Sequence, residues 1–404
     1  MAAHVPAFGP FVAIWILGGV LGVAGAMVFG ELAATFPVTG GRYIYLREAY
    51  GPAFAFCFGW LETVLLYPVA NGALALILAT YLAAVVPALH PYENAVAVIV
   101  VLGLAVVNYR STRASVDQML ITTSIKVLVL ATMAVLLLSM PSPQPAAAGA
   151  APAGSWHGFG LALVTVMWTY SGWSSMTYLA GEVRSAERTI PLVLTGGLAA
   201  ATALFVLVNL GYVHALSLPG VAHSPAVAAD AVGLALGGTG RLVISAAVVV
   251  STFGTLNSSI LTAPRLTFAM ARDVPRLHWL AGVHARFQTP HIAVGVTATL
   301  SAAYLWNHSF EQLASTFILG TWPFDILAAI ALFMFRRRSD LPHPFRGLWY
   351  PLFPVLFIGG ATAMVINGIW GHLLPALGGT ALFALGVPIY RVLRRDGSAA
   401  SGAG

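Results

Sequence analysis

GFGLALVTVMWTYSGWSSMTYLAGEVRSAERTIP, Gly158–Pro191, is the stretch whose reading decides the fold. It begins as an apolar helix, runs into Trp168-Thr169-Tyr170-Ser171-Gly172-Trp173-Ser174-Ser175, and turns apolar again before Glu182. Glycine and small polar residues clustered at membrane depth predict a break in the helix. A broken span exposes N–H and C=O groups, which hydrocarbon tolerates only where a cavity or ligand satisfies them. Interrupted helices near the midplane build the substrate sites of many secondary transporters, with half-helix ends turned toward charged groups. The same residues could instead serve tight helix packing, and the stretch alone leaves both readings open.

Around this stretch the chain reads as an integral membrane protein. Of its 404 residues, 59% are apolar and only 8% charged, against about 25% charged in soluble domains. No Asp, Glu, Lys or Arg occurs from Thr63 to Tyr92, or from Val127 to Trp156. The first run holds a full span of ~20 residues. The second supplies most of one and then a Pro/Ala/Gly loop. Helices are predicted at 10–35, 53–86, 93–109, 116–139, 158–182, 191–216, 240–270, 291–306, 311–335, 349–370 and 373–393, eleven in all. Strand-like alternation is nowhere sustained. The expected organisation is one transmembrane domain over 1–395, followed by a cytoplasmic polar tail at 396–404. The single cysteine, Cys57, leaves no internal disulfide.

The basic residues set the orientation. Alternating the loops puts seventeen arginines on one side: 42, 47, 110, 113, 184, 188, 265, 272, 276, 286, 336, 337, 338, 346, 391, 394 and 395. Only Arg241 falls opposite. By the positive-inside rule these loops and the C-terminus are cytoplasmic. The basic pI of 9.6 therefore points to the membrane and not to nucleic acid. With eleven spans Met1 is expected outside, yet no signal peptide precedes the first helix. In the internal loop after the first helix, Arg42–Tyr50 places Tyr43, Leu46 and Tyr50 on one helical face. Such a piece can lie at the membrane interface or form an ordinary surface helix.

Ionisable residues inside apolar runs are functional candidates by default. Lys126, the one lysine of the chain, sits in ITTSIKVLVLATMAVLLL about 16 Å from a helix start near Ser115. That is deep for a snorkelling stem in a core of about 30 Å. Glu62 and Asp325 are also flanked by apolar sequence, and for each a structural partner is the expectation. A second polar segment, Ser251–Arg265 (STFGTLNSSILTAPR), could bind ligand or join helices. The eleven histidines show no metal-ligand spacing, and no cofactor is expected. No P-loop, dinucleotide fingerprint or catalytic triad signature appears, so an enzyme is not expected.

Several blocks together resemble a known family. GELAATFPVTGGRYIYLREAYGP, the lone Lys126 in the helix after STRASVDQ, WTYSGWSSMTYLAGEVRSAERTIP, SPAVAADA and STFGTLNSSILTAPRLTFAMARD occur in the order found in the amino acid–polyamine–organocation (APC) superfamily. Within it, the likeness is to bacterial amino acid permeases similar to the L-type (LAT) exchangers, almost end to end. The resemblance implies the LeuT-type fold: two inverted five-helix repeats plus two further helices, working by alternating access. It also implies that Thr169, Tyr170, Ser171, Gly172 and Trp173 form an unwound segment whose backbone receives the substrate's α-amino group. By the same likeness Trp168 is a lid, Ser174 lines the pocket and Trp322 stands near it. Ser171 replaces an Asp of many bacterial relatives. Lys126 matches the lysine of sodium-independent members, its ammonium standing where coupled relatives hold sodium, near Ser251. Asp325 has no counterpart in the pattern.

The front of the chain departs from the family. Its first helix is broken by a Gly-Ser-Gly-Ile-Phe-like motif that holds the substrate carboxylate, and AAHVPAFGPFVAIWILGG contains no such motif. The expectation is eleven helices of a family's twelve, with the first helix missing by truncation. The resulting functional expectation is a sodium-independent permease or exchanger of neutral amino acids in the cell inner membrane, with an amino acid and the lipid bilayer as partners. A proton-coupled transporter titrating Lys126 and a transport-inactive membrane sensor or partner protein are the alternatives.

Overall fold

A computed structural model describes residues 2–110, 112–141, 156–224, 226–306, 308–371 and 373–395. The tail expected at 396–404 and most of the Pro/Ala/Gly loop lie outside the described residues. Among those residues the fold is all-α, and each of the eleven expected segments is helical. In chain order the helices are α1 (Phe8–Thr35), α2 (Arg42–Tyr50), α3 (Pro52–Leu61), α4 (Tyr67–Val85), α5 (Glu93–Arg110), α6 (Thr112–Ser139), α7 (Trp156–Thr169), α8 (Ala186–His223), α9 (Val227–Asp273), α10 (His291–Tyr304), α11 (Phe310–Phe335), α12 (Leu352–Gly371) and α13 (Leu373–Arg395). A π-turn, Glu62–Leu66, joins α3 to α4 into one continuous run.

Nine runs among the described residues are long and apolar enough to cross a membrane, and α10 is a shorter apolar helix. Burial divides them. More than half of the apolar windows of α1, α3–α4 and α11 is covered by protein, whereas those of α5, α6, α8 and α13 are mostly exposed. Ile99, Leu128, Val135 and Leu192 stand outward on these outer helices. Apolar surface of that extent is what a bilayer covers.

Close packing of α1 rests on glycine. A Cβ at Gly19 would run into Thr202 of α8 at 2.1 Å, and one at Gly22 into Leu198 at 2.8 Å. Small residues let helix backbones approach where lipid offers no hydrophobic drive to associate. Polar side chains tie a second group together. Asn71 of α4, fully buried, donates to Ser301 of α10 and accepts from Ser259 of α9. Asn108 of α5 donates to Asn257 of α9 at 2.7 Å.

Three sequence expectations need correction. Arg42–Tyr50 is not an ordinary surface helix: Arg42 through Leu46 are all buried, while Arg47–Tyr50 are half-buried or exposed. Arg42, assigned to an internal loop, is 2% exposed. Its position follows from Gly40 and Gly41, whose positive φ turns the chain inward. Gly41 also lies so close to Thr177 and Tyr178 that a Cβ would stand 2.6 Å from each. Arg265, likewise counted with the loops, is buried within α9. Finally, α8 and α9 extend past the expected ends, through kinks at Ser217 and Gly237, into short helical segments.

Candidate functional site

The break expected at Trp168–Ser175 is present. Regular α-helix stops at Thr169, Tyr170 to Gly172 form a turn, and a 3-10 helix covers Trp173–Glu182. Gly172 is the pivot: its φ of 89° is left-handed, and a Cβ there would meet nothing within 4 Å. The turn leaves backbone groups free. Tyr170 N–H reaches Val166 O, Ser171 N–H reaches Trp168 O, and Gly172 O accepts from Ser175. Among the described residues, the carbonyls of Tyr170 and Ser171 and the N–H of Gly172 have no backbone partner. Unpaired groups at this depth are tolerated only beside a cavity or ligand.

A cavity of about 440 Å³ reaches the last helical residue before the turn, Thr169, and no residue of Tyr170–Gly172 is in its wall. Thr169 lines it together with Trp15, Phe205, Asn209, Tyr212 and Leu130. Among the described residues no charged side chain is in its wall. The remaining candidates split by direction. Ser171 turns back and donates to Trp168 O at 2.6 Å. Tyr170 is fully buried between Trp15 and Phe205, with its hydroxyl donating to Trp15 O. Trp168 stands edge-on to Phe310 and Phe317 of α11. Trp173 packs against Phe29, and Trp322 against Phe357, whose ring also meets Phe29. Trp173 and Trp322 thus belong to one aromatic cluster that braces the turn from behind. Ser174 is buried at the start of the 3-10 helix.

Lys126 and Ser251 are brought together through a residue the sequence did not single out. Lys126 Nζ donates to Thr255 Oγ1 at 2.8 Å, and Thr255 donates in turn to Ser251 O at 3.1 Å. The ammonium therefore bridges α6 to α9, and no carboxylate among the described residues lies within ion-pair distance of it. Leu130, one turn further along α6, lines the same cavity as Thr169.

Glu62 and Asp325 find the structural partner expected for them, and it is shared. Arg42 donates to Asp325 Oδ1 at 3.1 Å and to Tyr178 OH at 2.8 Å, and stands 3.4 Å from Glu62 Oε1. Burial works against the charge on Arg42, but the opposing pull of Asp325, Tyr178 and Glu62 outweighs it and holds the guanidinium protonated. Nearby, Arg265 pairs with Glu182 through two hydrogen bonds at 2.6 and 3.0 Å. Both contacts fasten the 3-10 helix to its neighbours on the side where the arginine-rich loops gather. A sequence signal for the pairing existed: two carboxylates inside apolar runs require a cation, and the nearest in each direction is not one a linear reading selects.

Comparison with known proteins agrees with this architecture. Residues 2–384 match the sequence model of a family described as amino acid permease. The chain is 29% identical to the serine/threonine exchanger SteT of Bacillus subtilis (strain 168), over 86% of its length and 80% of the relative's. It is 27% identical to the human b(0,+)-type amino acid transporter 1, over 85% of this chain and 72% of that one. It is also 27% identical to the human cystine/glutamate transporter, over 95% of this chain and 77% of the other.

Proposed function

From the premise that the chain belongs to the amino acid permease family, we propose that it is a sodium-independent exchanger of neutral amino acids. The observation that carries this reading is the turn at Tyr170–Gly172, where two carbonyls and one N–H lack a backbone partner among the described residues, next in sequence to Thr169 in the cavity wall. An amino acid entering the membrane must have its ammonium met by acceptors, and free carbonyls supply them without a counter-charge. Thr169 and Ser174 offer the same zwitterion neutral polar side chains, and Trp168 stands at the turn's entrance as a lid. Tyr170, Ser171, Trp173 and Trp322 then hold the turn's shape. A wall without charge favours substrates whose side chains are neutral.

Sodium independence is supported by Lys126. A fixed ammonium hydrogen-bonded across α6 and α9, one helical turn from Ser251, takes the room and the charge that a bound cation would need. The whole described chain then acts as a single transport domain. Its seventeen arginines on one side orient that side, and the C-terminus, toward the cytoplasm of the cell bearing this inner membrane.

The test is counterflow in proteoliposomes. Vesicles loaded with unlabelled L-serine should accumulate labelled L-serine equally in sodium and in choline buffer, and empty vesicles should not. The des-amino analogue of serine should fail to compete. Competition equal to that of serine would remove the ammonium from recognition, and with it the physical basis of the reading.

A further inference from the structure

Arg42, Glu62 and Asp325 form a dry cluster with one cation and two acids, exposed by 2%, 0% and 5% respectively. The hydrogen bonds of the guanidinium are unevenly shared. Asp325 and Tyr178 each accept one, whereas neither oxygen of Glu62 has a hydrogen-bond partner among the described residues. The α9 and α10 helices, which pack on the π-turn, put no Lys or Arg within ion-pair distance of Glu62 among the described residues. The α2 helix brings Arg42, and the 3-10 helix brings Tyr178. The start of α4 brings Tyr67, its hydroxyl also without a partner and its ring 6.1 Å from that of Tyr178. From α11 comes Asp325, and from α3 only the Phe58 ring, 5.8 Å from the guanidinium carbon. Among the described residues no second Lys or Arg is within ion-pair distance of either carboxylate.

Elementary electrostatics disfavours two ionised acids facing one cation in a dry volume. A buried carboxylate without donors costs several kcal/mol or more, and two carboxylates that share one site do not both ionise. Glu62 also opens the π-turn at Glu62–Leu66. Such turns are rare and often mark functional positions inside helices. We propose that Glu62, Arg42 and Asp325 form a proton-binding site, with Glu62 as the carboxyl that carries the proton. A proton from water adds to one Glu62 oxygen as an O–H bond and leaves by the reverse step, so no other reactant takes part. With the proton bound the cluster is neutral, one cation facing one carboxylate and one carboxylic acid. That neutral cluster ties α2, the 3-10 helix, the π-turn and α11 together, so the packing of these elements depends on its occupancy. This goes beyond the exchange reading and does not depend on which amino acid is carried.

Infrared spectroscopy of the purified full chain tests it. At neutral pH the wild type should give a C=O band of a protonated carboxyl, shifted by ¹³C-labelled glutamate and untouched by labelled aspartate. Glu62→Gln should remove the band. Asp325→Asn should also remove it, because Arg42 then neutralises Glu62 alone, and this variant decides the matter should Glu62→Gln fail to fold. Glu31→Gln should leave it intact, since Glu31 accepts from Arg336 and Gly347. The folded state holding this proton also binds one more than the unfolded chain, so stability falls as pH rises. The Tm of the wild type should drop on moving to alkaline buffer, and that drop should vanish in Glu62→Gln. A wild type without the band, a band shifted by labelled aspartate, or a band undiminished in either variant overturns the proposal.

Discussion

Gly172 separates two effects that a single substitution would confound. The residue sits at a φ of 89° with open space where a Cβ would go. A left-handed conformation costs a non-glycine residue roughly 1–2 kcal/mol, so Gly172→Ala should destabilise the protein by about that much. Its methyl meets no atom, so it adds little bulk to the cavity side of the turn. Asparagine reverses the balance: it tolerates left-handed φ far better than most residues, yet places an amide where the ligand approaches the backbone. Gly172→Val carries both penalties. The assay is direct binding of labelled L-serine to detergent-purified protein, run beside a thermal melt of each variant. Alanine should lower Tm while moving Kd less than tenfold, which is about 1.4 kcal/mol. Asparagine should leave Tm near wild type but weaken binding by tenfold or more, and valine should abolish binding. Wild-type affinity in the asparagine and valine variants would mean that no ligand reaches this turn, and the site would have to lie elsewhere.

Two further outcomes follow from the packing. Lys126→Ala, and more mildly Thr255→Val, should cut counterflow sharply with insertion and Tm near normal, since the ammonium is held by a single hydroxyl; full flux in Lys126→Ala, or stimulation of the wild type by sodium, would remove the lysine from coupling. Gly25→Ala should destabilise the protein by about 1–3 kcal/mol of overpacking and so lower its Tm, because a Cβ would stand 2.7 Å from Phe357 and 2.8 Å from Trp173; an unchanged melt would show that this aromatic cluster yields without strain.

What could be read from the sequence was whatever depends on one segment at a time. The break at Trp168–Ser175 was legible as one of two readings, because glycine and hydroxyls within an apolar run serve either an unwound segment or tight helix packing. Helix ends were legible to within a few residues where Pro37, Gly51 or a charge run marks them. The ends of α8 and α9 were not, because the kinks at Ser217 and Gly237 carry helix onward in a new direction, and an apolar window cannot tell a kinked helix from a loop. Lys126 was recognised as unusual from its neighbours alone, but Thr255, which holds it, lies 129 residues away.

The charge cluster shows where linear reading stops. Glu62 and Asp325 each carried the signature of a buried acid, while Arg42 carried that of a loop arginine beside Gly-Gly, and the rule that sorts arginines by side placed it with the rest. That rule concerns topology and is blind to depth: an arginine at the end of a sharp glycine turn can belong to the correct side and still point into the protein. The 283 residues between Arg42 and Asp325 then make their pairing a property of the folded chain alone. Once three helices and a 3-10 segment converge on one guanidinium, the charge sum within a dry volume becomes the informative quantity, and it does not balance. Among the described residues Glu31 faces Arg336 and Arg265 faces the exposed Glu182 one to one, whereas the buried cluster is in deficit by a single positive charge. The deficit sits where the interrupted helix is tied down, and a mobile proton there can respond to pH in a way that a fixed lysine could not.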